Sequence, residues 1–340
     1  MRDSKPRTVS IGLQGAGAYG AFTWGVLDRL LDEDDLVIDC LTGSSSGAIN
    51  AAVLADGYAG GGGRRGAQQA LRRFWTGLAT AASFSPMRRT LLDHLVGGWT
   101  METSPAYHGL EMAGVLAGPV FEVPFTQNPL RMLLSSLIDF DRVRASDTIP
   151  VFIAATNVRT GKGRIFPREE ITVQSLLASA CLPTVFAAVE VDGESYWDGS
   201  YVANPPLAPL LDRDAGDVIV VQNNPVSRST MPRSMADISN RANEIAFNIS
   251  FVRELATLKH GLDALDEQEG APAHSNRSRL HLISGNDLFS EYRMSSKFNA
   301  EPDFMTHLHG RGVAAAEEWL RTNAGQLGVR STLELERAFA

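Results

Sequence analysis

The chain has 340 residues, 44% of them hydrophobic, enough to bury a large core as one extended α/β domain or two. Its 31 basic and 39 acidic residues leave a net charge of −8 without a basic tract, which argues against nucleic acid as a partner. Two cysteines, Cys40 and Cys181, cannot build a disulfide framework, and no run of roughly eighteen apolar residues is present to span a bilayer.

Met1 to Arg7 is charged and the stretch beyond it is broken by glycines, so a signal peptide is not expected and the expected placement is the cytoplasm. Thr8 to Leu13 reads as a first strand. Gln14-Gly15-Ala16-Gly17-Ala18-Tyr19-Gly20 then leads into a helical run in which Phe22, Val26 and Leu30 recur four apart. A glycine-rich turn entering a helix exposes backbone amides that can hold an oxyanion, a phosphate or a dinucleotide. Gly15, Gly17 and Gly20 fit the Gly-x-Gly-x-x-Gly spacing, with Asp34, Asp35 and Asp39 near where a ribose-binding acid would fall. A nucleotide triphosphate site is a weaker match, because no Gly-Lys-Ser/Thr follows.

The next segment decides for the oxyanion. Val37 to Leu41 is an apolar run of strand length, Gly43-Ser44-Ser45-Ser46-Gly47 follows, and Ala48 to Leu54 starts a buried helix. Gly-x-Ser-x-Gly between strand and helix is a nucleophile elbow, whose glycines Gly43 and Gly47 let the chain bend and lift the serine oxygen clear. Only Ser45 has glycines at both minus two and plus two. A glycine-serine cluster alone is more often an ordinary turn.

Gly57 to Gly63 reads as a link ending that helix, followed by helical pieces over 68–78 and 90–96. Trp75, Phe84, Trp99, Tyr107, Phe121 and Phe125 read either as a lid and acyl-binding wall or as ordinary packing. A helix is expected over 129–138, a central strand over 149–156, and a helix over 172–181 stopped by Pro183. Val189 to Val191 and Ser195 to Trp197 flank Asp192-Gly193, a good hairpin turn, so the second arm delivers Asp198 at its end before Gly199. A carboxylate there can accept the Ser45 proton, or simply cap a turn. In the common Ser, acid, His order, His260, His274, His281, His307 and His309 all lie downstream, none in a context that singles it out.

A buried strand is expected over 217–222. Ile238, Ala242, Ile245, Ile249, Val252 and Leu255 then mark a long amphipathic helix, with docking on the core as the default for its apolar stripe. Residues 262–277 read as an exposed loop, 279–283 as a last strand and 313–320 as a last helix. His307 and His309 lack a Glu-x-x-His companion, so no metal is assigned, and no cofactor either.

These motifs together resemble the patatin-like phospholipases, serine acyl hydrolases with a Ser-Asp dyad. The resemblance spans about residues 8 to 225. It is carried by Gly15 to Gly20, by Gly43 to Gly47, by Ala178 to Phe186, and by Asp198-Gly199 with Asn204-Pro205-Pro206. It implies a three-layer α/β/α fold with a mostly parallel sheet, Ser45 as nucleophile and Asp198 as base. It also implies an oxyanion hole at Gly15, Ala16 and Gly17, and a lipid or fatty-acyl ester as substrate. Two departures stand out: Ala16 replaces the middle glycine, and Tyr19 stands where the family commonly has Arg or Lys. The expected organisation is a single domain over 1–340, with 60–130 as a helical lid-like insertion and 226–340 as a C-terminal helical extension. Transient contact with the inner face of a membrane and a homo-oligomer are left open. The rival functions are a general carboxylesterase with a Ser-His-Asp triad, a Rossmann-like oxidoreductase and a non-catalytic lipid-binding protein.

Overall fold

The computed structural model describes residues 6–95, 98–109, 128–183, 185–213, 216–266 and 278–333. Eight strands form one sheet: β1 (Arg7–Leu13), β2 (Leu36–Ser44), β3 (Val151–Asn157), β4 (Gly163–Pro167), β5 (Val189–Val191), β6 (Glu194–Asp198), β7 (Asp217–Gln222) and β8 (Arg279–Ser284). Their order is β5-β6-β3-β2-β1-β7-β8, with β4 paired to β3. The run from β3 to β8 is parallel, and β6 closes antiparallel on β3.

Alternation along the strands assigns each face. Val9, Ile11, Leu13, Ile219 and Val221 enter the larger core, beneath α1 (Gly20–Leu31), α2 (Ser46–Gly57) and α3 (Gly63–Ala82). Cys40, Val218, Val220 and Leu280 point the other way and pack with Leu207, Leu210, Phe251 and Leu255. Helices on both faces of a mostly parallel sheet make the three-layer α/β/α architecture. The last long helix, α6 (Pro302–Asn323), returns to the first and adds Phe304, Leu308 and Ala316 to the larger core.

Several sequence expectations change. β2 runs to Ser44 rather than stopping at Leu41, because Thr42 and Gly43 still pair with β1 and Ser44 with Ala154 of β3. The glycine link is one irregular turn over Tyr58–Gly62, non-helical at Gly60 and Gly61, after which α3 folds back on α2. Residues 63–82 are thus core rather than lid: Trp75 is buried, and its indole donates to Asn50 Oδ1 at 2.9 Å. Trp99 stacks on Phe304. Beyond α3, by contrast, Phe84, Leu91, Leu92 and Leu95 are exposed. Phe121 and Phe125 lie outside the described residues. β4 was not expected from the sequence.

The long helix α5 (Met235–Asp266) overturns its amphipathic assignment. It faces outward with Ile238, Ala242, Ile245 and Ile249, and inward with Asn240, Glu244, Phe247, Asn248 and Phe251. Core docking of the apolar stripe therefore holds only toward Leu255. Nearer its start the helix serves buried polar groups instead, as the next section describes. The helix also continues to Asp266, past the start of the expected loop, whose remainder from 267 to 277 lies outside the described residues. Among the described residues, no helix is long and apolar enough to cross a membrane.

Candidate active site

β2 delivers Ser45 at the carboxyl end of the sheet, and α2 departs at the next residue. The turn is sharp enough to force Ser45 to φ 54°, ψ −125°. Among the described residues only Asp192, in the hairpin tip, shares a positive φ without being glycine. Such a conformation costs of order 1–3 kcal/mol and persists where the surroundings over-determine it. They do here. A Cβ on Gly47 would come within 2.1 Å of the Leu13 carbonyl, and one on Gly43 within 2.5 Å of Gly47. The Ser45 amide is pinned by the Ser179 hydroxyl at 3.0 Å, from the last residue of α4 (Val173–Ser179).

The hairpin of β5 and β6 ends at Asp198, which pairs with Ala155 of β3. Its amide donates to the Cys181 carbonyl at 2.8 Å, and its carbonyl accepts from Thr156 Oγ1 at 2.7 Å. Gly199 follows against Ala154 O, where a Cβ would lie at 2.1 Å. The carboxylate accepts the Ser200 amide at 2.8 Å, and the Ser45 and Ser200 side chains stand near enough to pull its pKa down. Burial pushes this carboxyl up to about 6, against the opposite pull of the Ser200 amide, Ser45 and the positive charge of Lys297. Ser45 and Asp198, distant in sequence, are thus brought together.

The glycine turn after β1 lies directly against the elbow: a Cβ on Gly15 would sit 2.4 Å from Ser45 Cβ. Its three expected oxyanion donors are not equivalent. The Gly15 amide is committed to Asn204 Oδ1 at 2.7 Å, so Gly15 is a structural member rather than a donor. The Ala16 amide donates to the Ser46 hydroxyl at 3.1 Å, and that of Gly17 has no acceptor among the described residues. Ser45 and Ser200 crowd Gly15, while Asp35 and Asp39 are engaged with Arg7 and Arg213, which leaves neither acid placed for a ribose.

Residues missed by sequence reasoning hold this turn. The Gln14 side chain donates to Asn204 O and Asn248 Oδ1, and accepts the amides of Asn223 and Asn224, each at 3.0 Å. Asn224 Nδ2 donates to Gly15 O at 2.8 Å, and Asn248 Nδ2 to Pro225 O at 2.9 Å. All five side chains of this amide cluster, Gln14, Asn204, Asn223, Asn224 and Asn248, are buried. Only the Asn-Pro pair at 204 and the Asn-Asn pair closing β7 hinted at it. Tyr19 is a packing residue, with its ring stacked on Phe289 at 4.3 Å and its hydroxyl 2.7 Å from Ser296 Oγ. Lys297 closes the assembly, donating to Asn224 Oδ1 at 3.0 Å.

The described histidines lie elsewhere. His281 bonds Asp217 at 2.9 Å, His307 bonds Tyr292 at 2.9 Å, and His309 bonds Asp28 at 2.8 Å. The His260 side chain and His274 lie outside the described residues. Cys40 and Cys181 are both buried and unbridged, with burial raising each thiol to about 12. Among the described residues, no group of three or more His, Cys, Asp or Glu could hold a metal ion.

Comparison with known proteins adds the following. The sequence profile of the patatin-like phospholipases matches residues 12–211, which contain every residue of the elbow, the glycine turn and the Asp198 hairpin. No curated protein matches the chain. Among solved structures, VipD from Legionella pneumophila is similar over 93% of this chain and 67% of its own, at 13% identity and a TM-score of 0.46. ExoU, in its heterodimeric complex with SpcU from the type III secretion system of Pseudomonas aeruginosa, is similar over 96% of this chain and 53% of the other, at 16% identity and a TM-score of 0.38. The chain thus spans about half the length of that structure.

Proposed function

We propose, for a chain that belongs to the patatin-like phospholipase family, that it cleaves the carboxylic ester of a lipid through an acyl-enzyme on Ser45, with Asp198 as the base. Membership in that family makes the chain a lipid acyl hydrolase in broad class; the dyad and the substrate are our reading. The observation that carries it is Ser45, strained in its backbone and pinned at its amide, beside a buried carboxylate pushed up to about 6.

Asp198 takes the Ser45 proton as the hydroxyl oxygen attacks the ester carbonyl. A base raised from the ordinary carboxylate range is a better match to a serine hydroxyl than a fully solvated carboxylate, yet is still ionised at neutral pH. Negative charge then develops on the former carbonyl oxygen. The Gly17 amide receives it, joined by Ala16 when the Ser46 hydroxyl turns away. Collapse passes the proton held on Asp198 to the leaving oxygen, which departs as the alcohol and restores the carboxylate. Water, deprotonated by the same carboxylate, resolves the acyl-enzyme. Each donor of this kind contributes about 3 kcal/mol to the barrier reduction.

The favoured substrate is a phospholipid or lysophospholipid. Each buried methylene of an acyl chain contributes about 0.8 kcal/mol, so a modest apolar groove prefers long chains. Phe84, Leu91 and Leu95, all exposed, supply apolar surface for a transient contact with a lipid layer. That contact would make the protein peripheral to a membrane. We also take the chain to act as one unit, because α6 packs on α1 and the 294–298 turn on the glycine loop.

The test is a hydrolysis profile across acyl length, with lysophospholipid, diacyl phospholipid, monoacylglycerol and soluble ester compared. Rising kcat/KM with chain length is expected. Best turnover of a two-carbon ester, declining as the chain grows, would overturn the lipid assignment. A serine-reactive phosphonate should label Ser45, and an adduct mapped elsewhere would overturn the mechanism.

A further inference from the structure

Lys297 lies on the 3-10 turn Met294–Phe298, which packs against Gly17–Tyr19. The contact is close: a Cβ on Gly17, itself at φ +59°, would fall 2.5 Å from the Lys297 carbonyl oxygen. The residue as a whole is half-buried, but its ammonium end is shielded between two rings, 5.9 Å from the centre of Tyr19 and 5.4 Å from that of Phe247. It donates to Asn224 Oδ1 at 3.0 Å and to Asn243 Oδ1 at 3.3 Å. Asn224 passes the contact on, since its Nδ2 donates to Gly15 O at 2.8 Å.

Among the described residues no carboxylate bonds this ammonium. The acids that face it act through charge alone. Glu244 is committed to Arg228, with one contact at 2.8 Å, and Asp198 faces Ser45 and Ser200. A shielded cation held by two neutral amides and two aromatic faces is only partly compensated for its lost hydration. What would complete it is negative charge appearing nearby, and the adjoining glycine turn is where the acyl-transfer scheme develops that charge.

We propose that Lys297 is a positioning residue of the acyl-transfer site: in its charged form it braces the glycine turn through Asn224 and supplies positive potential on the oxyanion side. The inference rests on the Ser45–Asp198 reading above. It assigns a required proton to a residue outside the segment matched by the family profile. Burial lowers the Lys297 pKa to about 8, with Glu244 and Asp198 raising it and Arg228 lowering it. Activity therefore needs Asp198 unprotonated and Lys297 protonated, which gives a bell bounded near 6 and near 8.

The experiment is kcat and KM of the full chain on a neutral, soluble ester by pH-stat titration from pH 5 to 10. The wild type should show both limbs. Lys297→Met should lower kcat about tenfold or more with KM changed less than about threefold, and should lose the alkaline limb. Lys297→Arg should recover most of kcat and move that limb beyond pH 10, because guanidinium does not deprotonate there. Unchanged kcat in Lys297→Met, or an alkaline limb that stays in place, overturns the proposal. Should Lys297→Met fail to fold, Asn243→Leu decides instead. Loss of an acceptor of the charged form should move the alkaline limb to lower pH, and an unmoved limb counts against Lys297. Phosphonate labelling in parallel separates the two levels. An adduct away from Ser45 sinks the Ser45–Asp198 reading, whereas Ser45 labelling with an unaltered Lys297→Met profile sinks this inference alone.

Discussion

Asp198 and Asp217 are both buried, and each stands at a strand end, but at opposite ends of the sheet and in opposite company. At the amino end of β7, Asp217 accepts from Arg279 at 2.9 and 3.0 Å, from His281 at 2.9 Å and from the Gly328 amide at 3.0 Å. Burial alone would raise its carboxyl, yet His281, Arg279 and the amide together hold it below the ordinary range. At the carboxyl end of the sheet, Asp198 has one amide, the Ser45 and Ser200 side chains and the charge of Lys297, and its carboxyl rises to about 6. A saturated carboxylate is a fastener. An under-saturated one keeps an appetite for a proton, and that is the property a base needs.

The comparison can be broken at several points. The largest effect should come from Ser45→Ala and Asp198→Asn, each lowering kcat at least about 10³-fold with an unchanged circular-dichroism spectrum. Either variant retaining a tenth of wild-type activity would place the base or nucleophile elsewhere. Next, Asp217→Asn should cost about 3 kcal/mol in urea unfolding, because it leaves Arg279 without its partner, while kcat per folded molecule stays intact. A loss of kcat with no loss of stability would reverse the roles given to the two ends.

A third effect has the opposite sign. Asp198 has a folded pKa near 6 and an ordinary value of 3.8, so between these the folded state binds more protons than the unfolded. Its contribution to stability therefore falls as pH rises from about 4 to about 6 and stays low above that. Asp198→Asn should stabilise the protein by about 3 kcal/mol at pH 8, at about 1.4 kcal/mol per pKa unit, with the gain vanishing near pH 4. Asp217, held below its ordinary value, does the reverse: its stabilisation is present at neutral pH and is lost as pH falls through its folded pKa. Equal melting of Asp198→Asn and wild type at pH 8 would mean that the carboxylate is better solvated than its burial indicates. The smallest effect should be that of His307→Ala and His309→Ala, whose kcat per folded molecule should stay within about twofold because their partners lie outside the site. A collapse of kcat in either would turn the dyad into a triad.

What the sequence made legible follows the same division. Gly43, Gly47 and Ser45 were readable because their spacing records a backbone constraint, a close approach that any side chain would block. Asp198 was readable through its hairpin, whose Asp192 and Gly193 adopt the positive φ that such a turn requires. The strands of the sheet, β4 apart, were readable from their apolar runs and hairpin turn. The polar scaffold was not. Asn204 and Asn224 were marked only by their Asn-Pro and Asn-Asn pairs, and nothing local distinguishes Asn248 and Lys297 from surface residues. Hydropathy even pointed the wrong way at α5, where the site recruits Asn240, Glu244 and Asn248 inward and Ile238, Ile245 and Ile249 are left outside. Periodicity reports which face is apolar. It reports which face is buried only where the core being covered is apolar too.

The position of β1 has a consequence in time rather than space. Of the eight strands of this sheet it is synthesised before the others, and it lies in the middle, with β2 on one edge and β7 on the other. The first edge can pair almost at once. The second must wait until Asp217–Gln222 has been made, which at about 5–20 residues per second takes on the order of 10 to 40 s. Through that interval a growing chain carries Val9, Ile11 and Leu13 on a strand with one row of amides and carbonyls unanswered. Such an edge is a template for pairing with other chains. Slowing synthesis between β2 and β7 should therefore lower the yield of folded protein, while leaving the finished molecule as stable as before.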